Sequence, residues 1–196
     1  KEAITLVRSR KSPVEPSTGP RWKHVADVGP VAIFENNRAL PRAWLASSER
    51  IANDAQQLQI IRTGKVSSET EWDPLTEALV ERATGLAFPK EKPARGTTEI
   101  IDRTPNRVEL ETKSNTPSIL ILADNFYPGW RSEVDQRPQP LLRVNYNQRG
   151  VALPGGEHRV VFSYQPRTML TGLLVSGATL LLLLLWMNSR PRATEP

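Results

Sequence analysis

The feature that most constrains this chain is an apolar run near its C-terminus. Residues 169–187 read MLTGLLVSGATLLLLLLWM and contain no charged side chain. A helix needs about 20 such residues to cross the apolar core of a bilayer. Arg190 and Arg192 follow the run, and positive charges of this kind usually stay on the cytoplasmic side. The run predicts a single membrane-spanning helix over 169–187, with the lipid bilayer as a partner and residues 188–196 as a short cytoplasmic tail.

Composition limits the other functional classes. The chain of 196 residues has no cysteine and only two histidines, His24 and His158, which stand far apart. Disulfides and thiolate metal sites are thereby excluded, and we expect no metal site. The net charge of +5 comes from Lys and Arg scattered among Asp and Glu, without the basic stripe of a nucleic-acid-binding protein. We therefore expect no nucleic-acid partner, whereas a position beside anionic lipid suits the charge.

The rest of the chain predicts a mainly β fold. Residues 1–20 contain three prolines and indicate an irregular lead-in. Across 21–166, short apolar runs are separated by turn signals about every eight to twelve residues, which favours an antiparallel β-sandwich. The expected strands are 22–28, 31–35, 42–46, 100–101, 108–112, 119–123, 130–135, 140–145, 150–153 and 159–164.

One short helix is expected to interrupt the strands. Ser47 or Ser48 is a suitable N-cap, apolar residues then recur at helical spacing, and Gly64 is a stop signal. This pattern predicts a helix over about 48–62. Residues 85–96 hold two prolines and several charges and predict a loop.

Residues 73–82 leave two alternatives open. Asp73 followed by Pro74 suits the start of a second helix. The apolar residues 78–80 suit a strand equally well.

Catalytic motifs are not found in the sequence. There is no phosphate-binding glycine loop, no G-x-S-x-G and no H-E-x-x-H. Asp124 and Asp135 flank the segment YPGW, and two carboxylates beside a groove can hydrolyse glycosides. Aspartate is equally common at turns because it bonds the backbone there. Glu157 and His158 follow a tight turn, but the sequence names no partner that would make His158 a general base. We assign no catalytic residue.

Aromatic and polar residues around two turns form the candidate binding set. Two aromatics enclose Pro128-Gly129, where they either contact a ligand or cover the end of a core. Arginine, asparagine and tyrosine surround the next loop, where they either bind a sugar or brace the loop. The candidate glycan-contacting residues are Tyr127, Trp130, Arg143, Asn145, Tyr146 and Arg149.

Several unusual motifs occur in order along residues 122–166. They are Y-P-G-W (127–130), V-D (134–135), N-Y (145–146), R-G-V (149–151), a loop from Leu153 to His158 of the type L-P-G-x-H, and Y-x-P (164–166). With FENNRALPRAWL upstream (34–45), they resemble the C-terminal end of the YfhO-type bacterial membrane protein family. Residues 1–20 and 65–100 match that family poorly.

The resemblance implies a polytopic parent protein related to the GT-C-like glycosyltransferases. Such enzymes transfer sugars from polyprenyl-phosphate donors, and their catalytic loop lies near the first membrane helices. No catalytic role therefore passes to this chain, and no cofactor of its own is expected. The chain would be the extracytoplasmic β-domain and last helix of a bacterial cell-membrane protein. Its partners would be the upstream transmembrane helices and a cell-envelope glycan, and its role structural or acceptor-positioning.

Two other functional classes compete with this interpretation. One is a standalone, tail-anchored β-domain that acts as a binding or structural module without an enzymatic parent. The other is a soluble hydrolase, which the apolar run and the missing motifs disfavour.

One position departs from the family pattern. The family usually has Asp-Gly at a hairpin where this chain has Asp135-Gln136. Asp-Gly favours a type I′ turn, which needs positive φ at both central residues. Because glutamine is strained in that conformation, we expect a longer turn that uses Arg137 and Pro138.

Overall fold

The computed structural model describes residues 5–9, 22–89 and 96–188, except for the side chains of residues 5–9, 167, 169, 170 and 187. The mainly β prediction is confirmed. The strands are β1 Thr5–Ser9, β2 Trp22–Val28, β3 Val31–Asn36, β4 Ala43–Ala46, β5 Ser48–Ile51, β6 Glu77–Val80, β7 Gly96–Thr104, β8 Arg107–Ser114, β9 Ser118–Asn125, β10 Trp130–Val134, β11 Arg137–Gln139, β12 Leu142–Val144, β13 Gln148–Leu153 and β14 Gly156–Tyr164. The helices are α1 Asp54–Thr63 and α2 Arg167–Asn188.

Two sheets share the main core. One has the strand order β11-β10-β14-β8-β7 and the other β4-β9-β13-β12-β6-β5. Leu110 and Phe162 from the first sheet and Leu120 and Val151 from the second are fully buried in one cluster. Burial of one face of each sheet against the other is how a two-layer β domain is stabilised.

Strand β9 is buried on both faces, which explains its continuous apolar sequence SILIL. Leu120 and Leu122 enter the main core, whereas Ile119 and Ile121 enter a second cluster on the outer face of the same sheet. Phe88 packs over that second cluster. A strand covered on both sides has no polar face to present, so its apolar and polar residues do not alternate.

The helix prediction over 48–62 is wrong at its start. Residues 48–51 form strand β5, and α1 begins at Asp54 with Asn53 as N-cap. The side chains of Asn53 and Gln56 each accept the other's backbone N–H at 3.0 Å, which forms a capping box. Gly64, with φ 68°, ends the helix as expected.

Strand β6 resolves the ambiguity at residues 73–82 in favour of a strand. It pairs in parallel with β5, with Arg50 opposite Leu79, which differs from the purely antiparallel expectation. Parallel neighbours need a crossover connection, and the chain between β5 and β6 includes α1. Leu79 and Ala78 are fully buried, so packing on both faces outweighs the local helix signal.

The N-terminal strands form a third sheet in the order β1-β3-β2. The β2–β3 hairpin turns at Gly29, with φ 58°, between the two strands expected at 22–28 and 31–35. Residues 5–9 are strand β1, so the irregular lead-in is wrong there, and the remainder of residues 1–21 lies outside the described residues. Residues 85–89 have no regular structure, as expected, while 90–95 and the tail 189–196 lie outside the description.

The hairpin between β10 and β11 corrects the expectation of a longer turn. Val134 pairs with Arg137, so Asp135 and Gln136 are the only loop residues. Their φ angles are 49° and 67°, and positive values at both positions are what a type I′ turn requires. Glutamine therefore adopts the left-handed conformation here, because the strands on both sides fix the two-residue connection.

The C-terminal helix α2 spans Arg167–Asn188, which confirms a helix over the predicted 169–187. Its large apolar side chains are exposed; Leu173 is 69 % exposed and Leu182 is 66 % exposed. In the part of the chain that the structure describes, no helix combines the length and apolar character that membrane crossing requires. The membrane-spanning part of the prediction is therefore not confirmed.

Candidate functional site

The aromatic turn at residues 127–130 is fastened to the segment that leads into α2. Gly129 has φ 104°, and a Cβ atom there would lie 2.8 Å from the Tyr164 ring and 3.3 Å from Pro166 Cα. The Gln165 N–H donates to the Gly129 carbonyl oxygen at 2.7 Å. Only glycine fits both the backbone angle and the close approach, so this turn and the end of β14 hold each other in place.

The two aromatics of the turn have different surroundings. Tyr127 is 61 % exposed, whereas Trp130 is half-buried and packs against the main core. Tyr164 stands between them, with ring centroids 6.4 Å from Tyr127 and 5.5 Å from Trp130. The two alternatives from the sequence therefore divide between two residues: Tyr127 is open to a ligand, and Trp130 covers the end of the core.

A cavity of about 430 Å³ lies between this turn and the first residues of α2. Its walls combine aromatic rings, two prolines and a few polar groups, which is the composition typical of small-ligand sites. The lining residues used below are Tyr127, Trp130, Tyr164, Pro166 and Thr168. We call this cavity the junction cavity.

Arg149 covers a face of the Trp130 ring. Its guanidinium carbon lies 3.6 Å from a ring centroid of the indole, and Arg149 is 6 % exposed. Its Nε donates to the Asn125 carbonyl oxygen at 2.9 Å. Asp124 lies 3.9 Å from Arg149 Nη1 but 2.5 Å from Arg42 Nη2. Burial lowers the pKa of Arg149, while Asp124 raises it and Arg42 lowers it.

The Arg42–Asp124 pair was not predicted from the sequence. The two residues are 82 positions apart, and they meet because β4 pairs with β9, with Ala43 opposite Leu122. The pair could have been predicted only from a correct assignment of β4 as the neighbour of β9.

The other three candidate glycan-contacting residues, Arg143, Asn145 and Tyr146, lie around the β12–β13 turn. Two of them are hydrogen-bonded to side chains of α1. Arg143 Nη2 donates to Asp54 Oδ1 at 2.6 Å and also contacts Glu81. Asn145 is buried, and its side chain and backbone exchange two hydrogen bonds of 2.9 Å with the backbone of Leu79. Arg143 and Asn145 therefore brace this turn, the second alternative left open by the sequence.

Tyr146 occupies a strained position in the same turn. Its φ is 71° and that of Asn145 is 48°; asparagine tolerates this left-handed region, whereas a bulky residue is uncommon there. The Tyr146 N–H donates to Oε1 of the buried Gln57 at 2.7 Å. Hydrogen bonds to distant parts of the chain thus hold the turn in this strained conformation. The Tyr146 ring remains 38 % exposed.

His158 has a partner that the sequence did not identify. Its Nδ1 lies 2.8 Å from Asp135 Oδ2, and Asp135 Oδ1 accepts the Arg159 N–H at 2.9 Å. The hydrogen bond from His158 and then that from Arg159 lower the pKa of Asp135. Val134 pairs with Val160 across β10 and β14, so a correct pairing of these strands would have brought the two residues together.

The geometry around His158 does not support general-base catalysis. Its Nε2 is buried without a hydrogen-bond partner among the described residues, and a Cβ on Gly156 would lie 3.3 Å from it. A general base needs a nitrogen within reach of the substrate proton. His158 also lines a cavity of about 640 Å³, whose other charged residues are Glu99, Glu111, Lys113, Glu157 and Arg159. Lys113 and Glu157 pair with each other there, and we interpret this cavity as a solvated sheet face.

In comparisons with known proteins, no family model, no curated protein and no solved structure matches the chain. The resemblance to the YfhO-type family therefore stays a prediction. Among the residues that the structure describes, no three His, Asp or Glu side chains come together in a way that could hold a metal ion.

Proposed function

We propose that this chain is the C-terminal part of a YfhO-like membrane protein of the bacterial cell envelope, with a non-catalytic β-domain that contacts a glycan. The parent protein would transfer a sugar from a polyprenyl-phosphate donor to an envelope acceptor. The proposal of glycan contact depends mainly on the junction cavity. Exposed Tyr127 lines this cavity beside the first residues of an apolar helix. A saccharide attached to a lipid or presented at a membrane surface would meet the protein there.

Two observations support α2 as a bilayer anchor. Residues 169–187 carry no charge, and leucines along the helix are half to two-thirds exposed, an arrangement that calls for apolar surroundings. No helix among the described residues is long and apolar enough to cross a membrane, so the anchor is proposed from the complete charge-free run 169–187 of the sequence, which has about the length that a bilayer core requires. With Arg190 and Arg192 on the cytoplasmic side, the β-domain is extracytoplasmic.

The orientation can be tested by cysteine labelling, since the chain contains no cysteine. We expect a membrane-impermeant maleimide to label Glu69→Cys, at an exposed loop position, in intact spheroplasts. Ser189→Cys should be labelled only after lysis. The reverse pattern would place the β-domain in the cytoplasm, and extraction of the chain from membranes by carbonate would exclude the anchor.

Glycan contact can be tested with Tyr127→Ala. We expect the full chain to bind a subset of an array of bacterial envelope glycans, and Tyr127→Ala to lose that binding with an unchanged circular dichroism spectrum. Tyr146→Ala is the comparison variant, because Tyr146 is the exposed tyrosine of the other turn in the candidate set. Loss of binding in Tyr146→Ala alone would move the site to the β12–β13 turn. Unchanged binding in both variants would show that neither exposed tyrosine contacts the glycan.

The standalone binding module is the second candidate. Exposure of Tyr127 supports a binding module whether or not an enzymatic parent exists. An antibody against residues 100–165 separates the two on a blot of source-cell membranes. A band several times larger than 21.9 kDa indicates a polytopic parent, whereas a band of that mass indicates the standalone module.

A further inference from the structure

Arg149 is a buried cation whose hydrogen-bonding capacity is only partly used. It is 6 % exposed, and Nε is bonded to the Asn125 carbonyl oxygen. Among the described residues, its Nη1 has no hydrogen-bond partner. The nearest carboxylate, Asp124, is 3.9 Å away, beyond the range of a normal hydrogen bond. A buried charge is stabilised only when it is both paired and hydrogen-bonded, so this guanidinium has room for an anionic ligand.

The neighbouring charges strengthen this requirement. Asp124 lies closer to Arg42, at 2.5 Å, and therefore divides its negative charge between two guanidinium groups. The positive charge of Arg42 lowers the pKa of Arg149 in addition to burial. The Trp130 ring at 3.6 Å contributes a cation–π contact but supplies no hydrogen-bond acceptor.

Arg149 also borders a cavity. It lines a cavity of about 380 Å³ together with Asp124, Trp130, Arg103, Thr104 and Val108. Trp130 lines this cavity and the junction cavity. The space accommodates a small charged group, and a guanidinium fork recognises the paired oxygens of a phosphate or a carboxylate.

We propose that this cavity is a site for one oxyanion, a phosphate or carboxylate group, bound through the guanidinium group of Arg149. The glycan proposal can fail while this one holds, because the glycan proposal depends on Tyr127 in the junction cavity and this one depends on Arg149, although Trp130 lines both cavities. If the glycan proposal and the anion proposal are both correct, Trp130 lies between the saccharide-contacting junction cavity and the anion-binding cavity. The ligand is then an acidic or phosphorylated saccharide.

Calorimetric titration of the full chain tests the site. The protein is kept in a non-ionic detergent without a sugar headgroup, in chloride buffer of constant ionic strength, and titrated with inorganic phosphate or with glucuronate. We expect saturable 1:1 binding of at least one anion. Phosphate alone identifies a phosphoryl ligand, glucuronate alone identifies an acidic sugar, and binding of neither overturns the proposal.

Variants assign the binding to Arg149. Arg149→Gln should weaken binding at least tenfold, and Arg149→Lys should also weaken it because lysine lacks the fork. Arg82→Gln removes an exposed arginine elsewhere and should leave binding unchanged. Equal binding by wild type and Arg149→Gln would mean an adventitious ion only.

A variant with the opposite expected effect tests the site independently of Arg149→Gln. Asp124→Asn removes the carboxylate that competes with the ligand for Arg149, so we expect severalfold tighter anion binding. A merely structural role for Asp124 predicts weaker or unchanged binding, and that result would overturn the proposal.

Discussion

The two aspartates that flank the aromatic turn occupy opposite kinds of environment. Asp135 is an exposed carboxylate, and each of its two oxygens has a hydrogen-bond partner. One oxygen is bonded to His158 and the other to the Arg159 N–H. Asp124 is largely buried and lies between two guanidinium groups, only one of which it bonds closely. The first arrangement fastens a hairpin to a neighbouring strand. The second leaves a buried cation short of an acceptor, and a buried polar group without a partner calls for a specific explanation.

The largest difference should appear on removal of the Asp124 charge. Asp124→Asn breaks a largely buried ion pair, and we expect a loss of roughly 3 kcal/mol in the free energy of unfolding. Urea unfolding of the full chain measures this loss. If the anion site exists, saturating anion should restore part of the stability, because ligand that binds only the folded state stabilises it.

Glu69→Gln is the control for Asp124→Asn, since it removes an exposed carboxylate and should change stability little. A loss in Asp124→Asn no greater than that of this control would show that Asp124 is not a significant ion-pair partner.

Asp135→Asn should have a smaller effect that depends on pH. We expect a loss of about 1 kcal/mol near neutral pH, because one charge-assisted hydrogen bond is weakened at an exposed site. The folded-state pKa of Asp135 is lowered from 3.8. Its stabilisation is therefore complete above pH 3.8 and disappears as the pH falls through the lower folded-state value.

Unfolding curves of wild type and Asp135→Asn should accordingly converge in acid. Glu133→Gln, on the same strand β10, serves as the control. A difference between wild type and Asp135→Asn that stays constant down to the lowest accessible pH would contradict the assigned role of the Asp135 charge.

Gln136→Gly should stabilise the Asp135 hairpin by about 0.5 kcal/mol, because glycine adopts positive φ without steric strain. Gln136 has φ 67°. Gln139→Gly is the matched control in strand β11, where glycine should destabilise instead. Thermal unfolding of both variants decides the sign, and destabilisation by Gln136→Gly would mean that its side chain makes a compensating contact.

The smallest effect is expected for Lys113→Ala. Lys113 and Glu157 form an ion pair in which the side chains are 71 % and 72 % exposed, and exposed pairs of this kind contribute little to stability. We expect no measurable change in the unfolding midpoint. A clear loss would show that charge pairs on this sheet face are stronger than exposure alone indicates.

The sequence predicted most of the strands because their signals are local. Turn residues separate short apolar runs, and β10, β13 and β14 lie within a few residues of their expected positions. The start of α1 was placed too early because serines at 47 and 48 resemble an N-cap, whereas pairing with β6 makes residues 48–51 a strand. Residues 73–82 stayed ambiguous because burial of Leu79 depends on strands far away in sequence.

The candidate site shows the same division. The sequence by itself determined the chemistry available: the YPGW turn, the two flanking aspartates, the arginines and the charge-free C-terminal run. Only the tertiary structure decided which residues meet, because the β4–β9 and β10–β14 pairings bring Arg42 to Asp124 and His158 to Asp135. It also decided burial, which made Asn145 a brace and Arg149 a cation in need of a partner. Burial depends on long-range packing, and local sequence does not encode it.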